Sequence, residues 1–244
     1  MIFLGTSAAV PTVERDNSAF LLTKPLLMID CPGSPVQKLK RAGVDFRGLG
    51  HLFLTHRHVD HLYGLVSLVH CLGEGKLFLW GSPQTLEVAH LALKAHGLWG
   101  GKVELRLCKL PSDGEGRWEV EGLELRSFPV PHVVGSLGLC LRLPAGKLVI
   151  SGDCAPGEEV ARWARGARWL IHDCAGTGPQ AQRLADLHTP AEELGRIAAR
   201  AGVKTLIPIH IPEEASEEKV RKELRHHFRG EILIPRDLQR LRLD

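Results

Sequence analysis

In the first half of the chain apolar residues come in runs of strand length, set apart by glycine, proline and charge. Ile2–Leu4, Ala19–Leu22, Leu26–Ile29, His51–Leu54, Leu77–Trp80 and Val103–Leu107 are predicted as strands on this basis. A helix is predicted over Pro35–Ala42, ended by Gly43. Another starts at Ser82-Pro83, a cap residue followed by proline at the first helical position, and ends near Gly97. The second half repeats the theme, with strands at Arg117–Val120, Leu123–Phe128, Leu137–Leu143 and Lys147–Ile150, a helix over Glu158–Arg165 and a strand at Arg168–His172. Thr189-Pro190-Ala191-Glu192 predicts a helix start with a capping-box pair and proline at its first position. That helix carries Leu194, Ile197, Ala198 and Ala201 on one face and stops at Gly202. The strand Lys204–Pro208, an amphipathic helix Ser216–Phe228 and the strand Glu231–Ile234 complete the chain. Two sheets packed face to face with helices on both outer sides bury such strands, so residues 1–244 are predicted to form one α/β domain, a four-layer αββα sandwich.

One polar interruption of this pattern carries chemistry. Directly after His51–Leu54 the chain reads Thr55-His56-Arg57-His58-Val59-Asp60-His61. An extended segment points His56 and His58 to one side, because side chains alternate, and Asp60 and His61 then turn in from the start of the next segment. Three imidazoles and a carboxylate packed this densely at one strand end point to a site for two metals rather than one.

Composition narrows the setting. The chain has 244 residues, 44% hydrophobic and 24% charged, with a net charge of +3, which is too weak a bias to imply nucleic-acid binding. The basic stretch Lys219, Arg221, Lys222, Arg225 and Arg229 reads as a solvated helix face. Cys31, Cys71, Cys108, Cys140, Cys154 and Cys174 form no Cys-x-x-Cys pair and read as reduced thiols of a cytoplasmic protein. No apolar run approaches the ~18 residues needed to cross a bilayer. The apolar start Ile2-Phe3-Leu4 lacks a basic leader and is broken by Gly5 and Pro11, so neither a membrane partner nor a signal peptide is expected.

Further candidates lie at predicted strand ends: His132 after Phe128-Pro129-Val130-Pro131, Asp153 in Ser151-Gly152-Asp153-Cys154, His210 after Leu206-Ile207-Pro208-Ile209, and His188 before a helix. Imidazole nitrogen and carboxylate oxygen suit zinc and similar divalent ions, manganese and iron among them. Two dications repel and need an anionic bridge, which Asp153 with a hydroxide supplies. Such ions ~3.5–4 Å apart suit in-line displacement at phosphorus. His51, His70, His90, His96, His226 and His227 have no partners in sequence and read as ordinary core or surface residues.

Thr55 to His61 resembles the signature of the metallo-β-lactamase superfamily, whose fold is the αββα sandwich. Phe3-Leu4-Gly5-Thr6-Ser7, Pro11-Thr12, Arg15, Asn17 and Ile29-Asp30-Cys31 resemble the RNase Z subgroup, the tRNA 3′-processing endonucleases, as does the stretch from His188-Thr189 to His210. The resemblance implies one metal held by His56, His58 and His132, the other by Asp60, His61 and His210, with Asp153 bridging and Asp30 orienting ligands from behind. It implies that His188 donates a proton to the leaving oxygen, and it suggests a homodimer. His172-Asp173-Cys174-Ala175 resembles the family's His-Glu-Ala-Thr stretch, with an aspartate one methylene shorter at Asp173. The tRNA-gripping arm of the family has no room between His132 and Asp153. Val13 stands where lysine is common, and Cys31-Pro32-Gly33-Ser34 replaces a Gly-Glu-Gly-Thr-type turn.

The expected activity is hydrolysis of a phosphodiester, a small or cyclic one or an RNA end, by a hydroxide bridging two divalent ions, probed with Asp60, Asp173 and His188 as the catalytic set. The competing expectations are an armless tRNA 3′-endoribonuclease, a lactone or thioester hydrolase of the same superfamily, and a non-catalytic metal-binding protein.

Overall fold

The computed structural model describes residues 1–243. The first sheet comprises β1 (Ile2–Gly5), β2 (Ala19–Thr23), β3 (Leu26–Ile29), β4 (His51–Phe53), β5 (Gly75–Gly81) and β6 (Val103–Lys109), in that spatial order. β1, β2 and β3 pair antiparallel, whereas β3 to β6 run parallel. The crossovers carry α1 (Pro35–Arg41), α2 (Val59–Leu62), α3 (Leu65–Leu72) and α4 (Pro83–Ala95). The second sheet repeats the plan. β7 (Gly116–Val120), β8 (Leu123–Pro129), β9 (Leu137–Leu143) and β10 (Gly146–Ile150) pair antiparallel, and β11 (Trp169–Asp173), β12 (Thr205–Ile209) and β13 (Glu231–Ile232) continue in parallel from β10. Its crossovers hold α5 (Glu158–Ala164), α6 (Gly178–Arg183), α7 (Ala191–Ala201) and α8 (Glu217–His227).

Alternation along the strands sorts the core into three layers. Phe3, Phe20, Leu27, Ile29 and Phe53 from the first sheet meet Leu139, Leu141, Leu148, Ile150, Ile171 and Ile207 from the second. On the outer side of the first sheet Leu21, Met28, Leu52 and Leu79 meet Leu39, Leu65, Leu68, Leu86 and Leu93 of the helices. On the outer side of the second, Val149, Leu170 and Leu206 meet Val160, Leu194, Ile197, Val220 and Leu224. Strands buried on both faces lose the hydrophobic–polar alternation, which is why they read as plain apolar runs. The predicted αββα layering is the observed one. Among the described residues no helix is long and apolar enough to cross a membrane.

Two local expectations are corrected. The capping box at Thr189 does not form: Pro190 is the N-cap of α7, and the Thr189 hydroxyl donates instead to the Cys154 carbonyl at 2.9 Å. That bond ties the start of α7 to the loop after β10. In addition, α2, α3 and α6 occupy segments without a predicted element. The tail, too, does more than follow β13. Phe3 donates to the Gln239 carbonyl at 3.0 Å and Leu241 to the Met1 carbonyl at 2.9 Å, so the C-terminus passes from the second sheet to the edge of the first.

All strand ends relevant to chemistry open at one edge of the sandwich. Asp30 follows β3, His56 follows β4, His132 follows β8, Asp153 follows β10, Asp173 ends β11 and His210 follows β12. Asp30 and His210 each turn with a positive φ, 58° and 56°, a conformation that side-chain-bearing residues rarely adopt and that recurs at functional sites.

Candidate metal centre

The helix α2 starts immediately after His58, so one turn of backbone carries Asp60 and His61 back toward His56. Its position is set by backbone bonds: Cys31 donates to the His61 carbonyl at 2.7 Å and Gly64 to the Cys31 carbonyl at 2.8 Å. Gly64 is required here, because a Cβ would lie 2.8–2.9 Å from the carbonyl oxygens of Cys31, Pro32 and Gly33.

The seven residues expected as ligands come together in two groups sharing one carboxylate. His56, His58, His132 and Asp153 form the first, and Asp60, His61, Asp153 and His210 the second; within each group the candidate ligand atoms lie within 4.8 Å of one another. His58 Nδ1 and His132 Nε2 are 3.1 Å apart. Asp153 Oδ2 lies 3.2 Å from the Nε2 atoms of His61 and His210 and 3.7 Å from His56 Nε2. Asp60 Oδ2 is 3.4 Å from His61 Nε2 and 3.5 Å from His210 Nε2.

Four of these atoms, the Nε2 of His56, His61 and His210 and Oδ1 of Asp153, are buried without any hydrogen-bond partner. Buried polar atoms are rarely left so, and four aimed at one spot match the demands of divalent cations. The opposite edge of each ring is held. His61 Nδ1 lies 2.9 Å from Asp30 Oδ2, His56 Nδ1 3.0 Å from Thr55 Oγ1, and His132 Nδ1 2.9 Å from the Leu187 carbonyl. His210 Nδ1 lies 3.4 Å from Asp173 Oδ1. Such partners fix the proton on Nδ1 and leave the Nε2 lone pair facing inward. Thr55 donates its amide and hydroxyl to Asp30, at 2.8 Å each, so one buried carboxylate orients both His61 and, through Thr55, His56. Thr55 was legible only as the end of a strand; its neighbouring position to the first histidine is the sole sequence signal for this role.

The two groups differ electrostatically. In the first, burial and neighbouring imidazoles hold His56 well below the ordinary histidine range, and burial holds His58 and His132 low. In the second, burial works against the charged form of His210, but Asp153, Asp173 and Asp60 outweigh it and push His210 up to about 10. His61 is likewise raised by Asp153 and Asp30 against the effect of burial. Burial works against the charge on Asp153 as well, yet His210, His61 and His56 hold it well below the usual carboxylate range.

His188 completes the site. Its ring stacks on His210 with centroids 5.0 Å apart, and its Nδ1 lies 3.0 Å from Asp173 Oδ2. The shorter aspartate therefore reaches. The same oxygen accepts the amides of Cys154 at 3.2 Å and Thr189 at 3.3 Å, so Asp173 is fixed from three directions. Burial opposes the charge on His188, but the Asp173 bond and charge prevail and raise it. Other histidines stay outside: His51 stacks on Phe78, His90 meets Trp99 edge to face, and His227 contacts Glu192. His172, unassigned from sequence apart from its motif, is fully buried against Cys154 Sγ at 3.7 Å.

The sequence profile of the Beta-lactamase superfamily domain matches residues 27–211. A Ribonuclease Z of Halorubrum lacusprofundi is 28% identical over 294 aligned positions, covering 96% of this chain and 94% of the relative. Those positions outnumber the 244 residues here, so the relative carries segments that this chain lacks. Among solved structures, the metallo-β-lactamase fold protein YhfI from Bacillus subtilis superposes with a TM-score of 0.84 at 20% identity, covering 98% of this chain and 96% of that one. The short form of human tRNase Z superposes with a TM-score of 0.76 at 19% identity, covering 97% and 96%. With the profile spanning most of the chain, the protein belongs to the β-lactamase superfamily, as an RNase Z-like member.

Proposed function

We propose that this chain is a metal-dependent hydrolase that cleaves phosphodiesters, with a small or cyclic diester as its substrate. The observation that carries the reading is the arrangement around Asp153: one carboxylate shared by two ligand groups, with a carboxylate-held histidine, His188, stacked on a ligand of the second group. His56, His58 and His132 would hold one divalent ion, Asp60, His61 and His210 the other, and Asp153 both; the unpartnered buried nitrogens and oxygen fit that demand. Zinc suits this nitrogen–oxygen donor set, and manganese and iron are compatible with it. When bound, the ions supply Lewis acidity and a nucleophile available at neutral pH.

The chain's own residues do the rest. Asp60 orients the attacking water. His188, with Nδ1 engaged by Asp173, presents Nε2 to the leaving oxygen and donates its proton there. Asp30 and Thr55 keep the rings of His61 and His56 from turning.

The diester preference over tRNA rests on the segment between His132 and Asp153. β9 ends at Leu143 and β10 begins at Gly146, so two residues make the turn where an arm would protrude. The names of the relatives favour a second reading, an armless tRNA 3′-processing ribonuclease. A lactonase or thioesterase has no need of the His188–Asp173 pair. Assaying the zinc-loaded protein and His188→Ala side by side on precursor tRNA, 2′,3′-cyclic nucleotides, bis-p-nitrophenyl phosphate and a lactone separates these. Turnover of the small diesters by the wild type is the expected result, with cleavage of 2′,3′-cyclic nucleotides lost in His188→Ala at intact metal content and cleavage of bis-p-nitrophenyl phosphate, whose leaving group needs no proton, largely retained. Cleavage of precursor tRNA alone, or of the lactone alone, would overturn it.

A further inference from the structure

Large apolar side chains left on the surface are unevenly distributed. Of nine among the described residues, five stand beside site residues: Val59 (70% exposed), Tyr63 (44%), Val134 (70%), Leu184 (38%) and Leu187 (42%). Val59 follows His58, Val134 lies two residues beyond His132, and Leu187 precedes His188. Hydrogen bonds draw these segments into one rim. The Leu187 carbonyl holds His132 at 2.9 Å, the Leu184 carbonyl accepts the His188 amide at 2.8 Å, and Arg57 Nη1 donates to the Val134 carbonyl at 3.2 Å.

The segments that form the rim, 57–63, 132–136 and 184–188, contain a single Lys or Arg, Arg57, and the anions Asp60 and Asp186. Polynucleotide grips work the other way, with several Lys or Arg side chains on successive phosphates. An entrance this poor in Lys and Arg and this rich in exposed apolar side chains favours an organic group. The occupant follows from position. An ester seated at the shared carboxylate lies among His58, His132 and His188; Val59, Val134 and Leu187 adjoin these residues along the chain, and Leu184 is tied to His188 through its carbonyl. A second copy of the chain seated there would close the entrance.

From this geometry we infer that Val59, Val134, Leu184 and Leu187 form the specificity surface of the site and take an apolar, preferably aromatic, substituent of the substrate. The inference rests on the phosphodiesterase reading for its substrate but is testable without turnover. Binding of phenylphosphonate and methylphosphonate to the zinc-loaded protein is measured by calorimetry, together with kcat and KM for phenyl and methyl p-nitrophenyl phosphate, which share a leaving group. The wild-type protein is expected to prefer the phenyl member about tenfold, the effect of removing part of one ring from water. The double variant Val59→Ser/Val134→Ser should lose that preference through KM, with kcat, metal content and methylphosphonate affinity unchanged. Equal affinity for both phosphonates in the wild type, or a preference that survives in the variant, overturns the proposal. So does a variant that changes only the sedimenting mass, which would make the rim a subunit interface. Selective phenylphosphonate binding without hydrolysis of any diester sustains the rim and overturns the phosphodiesterase reading instead.

Discussion

Replacing Asp173 by asparagine removes a negative charge from the bond to His188 while keeping its shape. Oδ2 of Asp173 meets three donors, His188 Nδ1 at 3.0 Å and the amides of Cys154 and Thr189 at 3.2 and 3.3 Å, so the amide oxygen of the variant takes that position. Only 16% of the His188 side chain and none of Asp173's is exposed, so solvent screens the pair little. A hydrogen bond to a charged group contributes about 1.5–3 kcal/mol and a neutral one about 0.5–1.5. The difference of about 1.4 kcal/mol corresponds to roughly one pKa unit. The sign follows from the role. His188 is raised in the native protein, so its acid form persists to higher pH than that of an ordinary histidine and is lost as pH climbs through the raised value. In Asp173→Asn it is lost earlier, and the alkaline limb of kcat should move down by about one pH unit. The assay is the kcat profile of the zinc-loaded protein on two diesters, one releasing an alkoxide and one releasing p-nitrophenolate. The alkoxide substrate needs the proton and should lose about tenfold above neutrality; the nitrophenolate substrate should hardly respond. Because Asp173 also lies 3.4 Å from His210, metal content is measured in parallel. An unmoved alkaline limb, or equal losses on both substrates at full metal content, would refute the role given to the pair.

Three other outcomes are expected. Zinc binding at neutral pH should release protons from His61 and His210, the latter titrating at about 10, and calorimetry in buffers of different ionisation enthalpy should give a buffer-dependent heat; in the metal-free protein the raised His210 contributes stability that is full below its ordinary 6.5 and fades as pH rises toward about 10, which denaturant midpoints across that range would detect. Asp30→Ala strands the amide and hydroxyl of Thr55 and Nδ1 of His61 in the core, so urea denaturation should show a loss of about 3–5 kcal/mol, and chelator competition a weakening of metal affinity by roughly 10–100-fold. Gly64→Ala pushes a methyl group into three carbonyl oxygens, costing about 1–3 kcal/mol in the same denaturation assay; an unchanged midpoint would mean that the turn holding Asp60 and His61 yields more easily than its contacts imply.

Strands were legible because the buried sheets demand apolar runs of limited length, and the helices bounded by Ser82-Pro83, Gly43 and Gly202 were legible from their ends. α3 escaped although Leu65, Leu68, Val69 and Leu72 recur at helical spacing with Ser67, His70 and Cys71 on the exposed side, because it is only eight residues long and starts from Gly64 without a side-chain cap. α2 has four residues and α6 six, too few for a helical period to show in the sequence. The capping box failed because a buried carbonyl, that of Cys154, competes successfully for the Thr189 hydroxyl. Within the site, residue type and spacing in His56 to His61 marked a cluster, position at the ends of predicted elements added His132, Asp153, His210 and His188, and the resemblance assigned their roles. The reach of Asp173, the role of Thr55 and the hold of the Leu187 carbonyl on His132 depend on where separate loops meet, which no local pattern encodes.

The repeated halves give these supporting residues a common logic. Each sheet changes from antiparallel to parallel pairing once, at β3 and at β10, and the chain leaves both strands toward the same edge. Near each change sits a buried carboxylate that orients two imidazoles from behind: Asp30 for His61 and, through Thr55, His56; Asp173 for His188 and His210. Asp173 adds a backbone duty, its amide donating to Ser151 Oγ at 3.1 Å and so fixing the loop that presents Asp153. A shorter side chain is adequate because β11 runs to its end within the sheet, pairing Asp173 with Ile209 beside His210, so the carboxylate starts close to its targets. Glutamate at this position would have to fold an extra methylene into a fully buried space already closed by Cys154 and Thr189. The aspartate is therefore a fitted part of this chain's version of the site, with the length its backbone position allows.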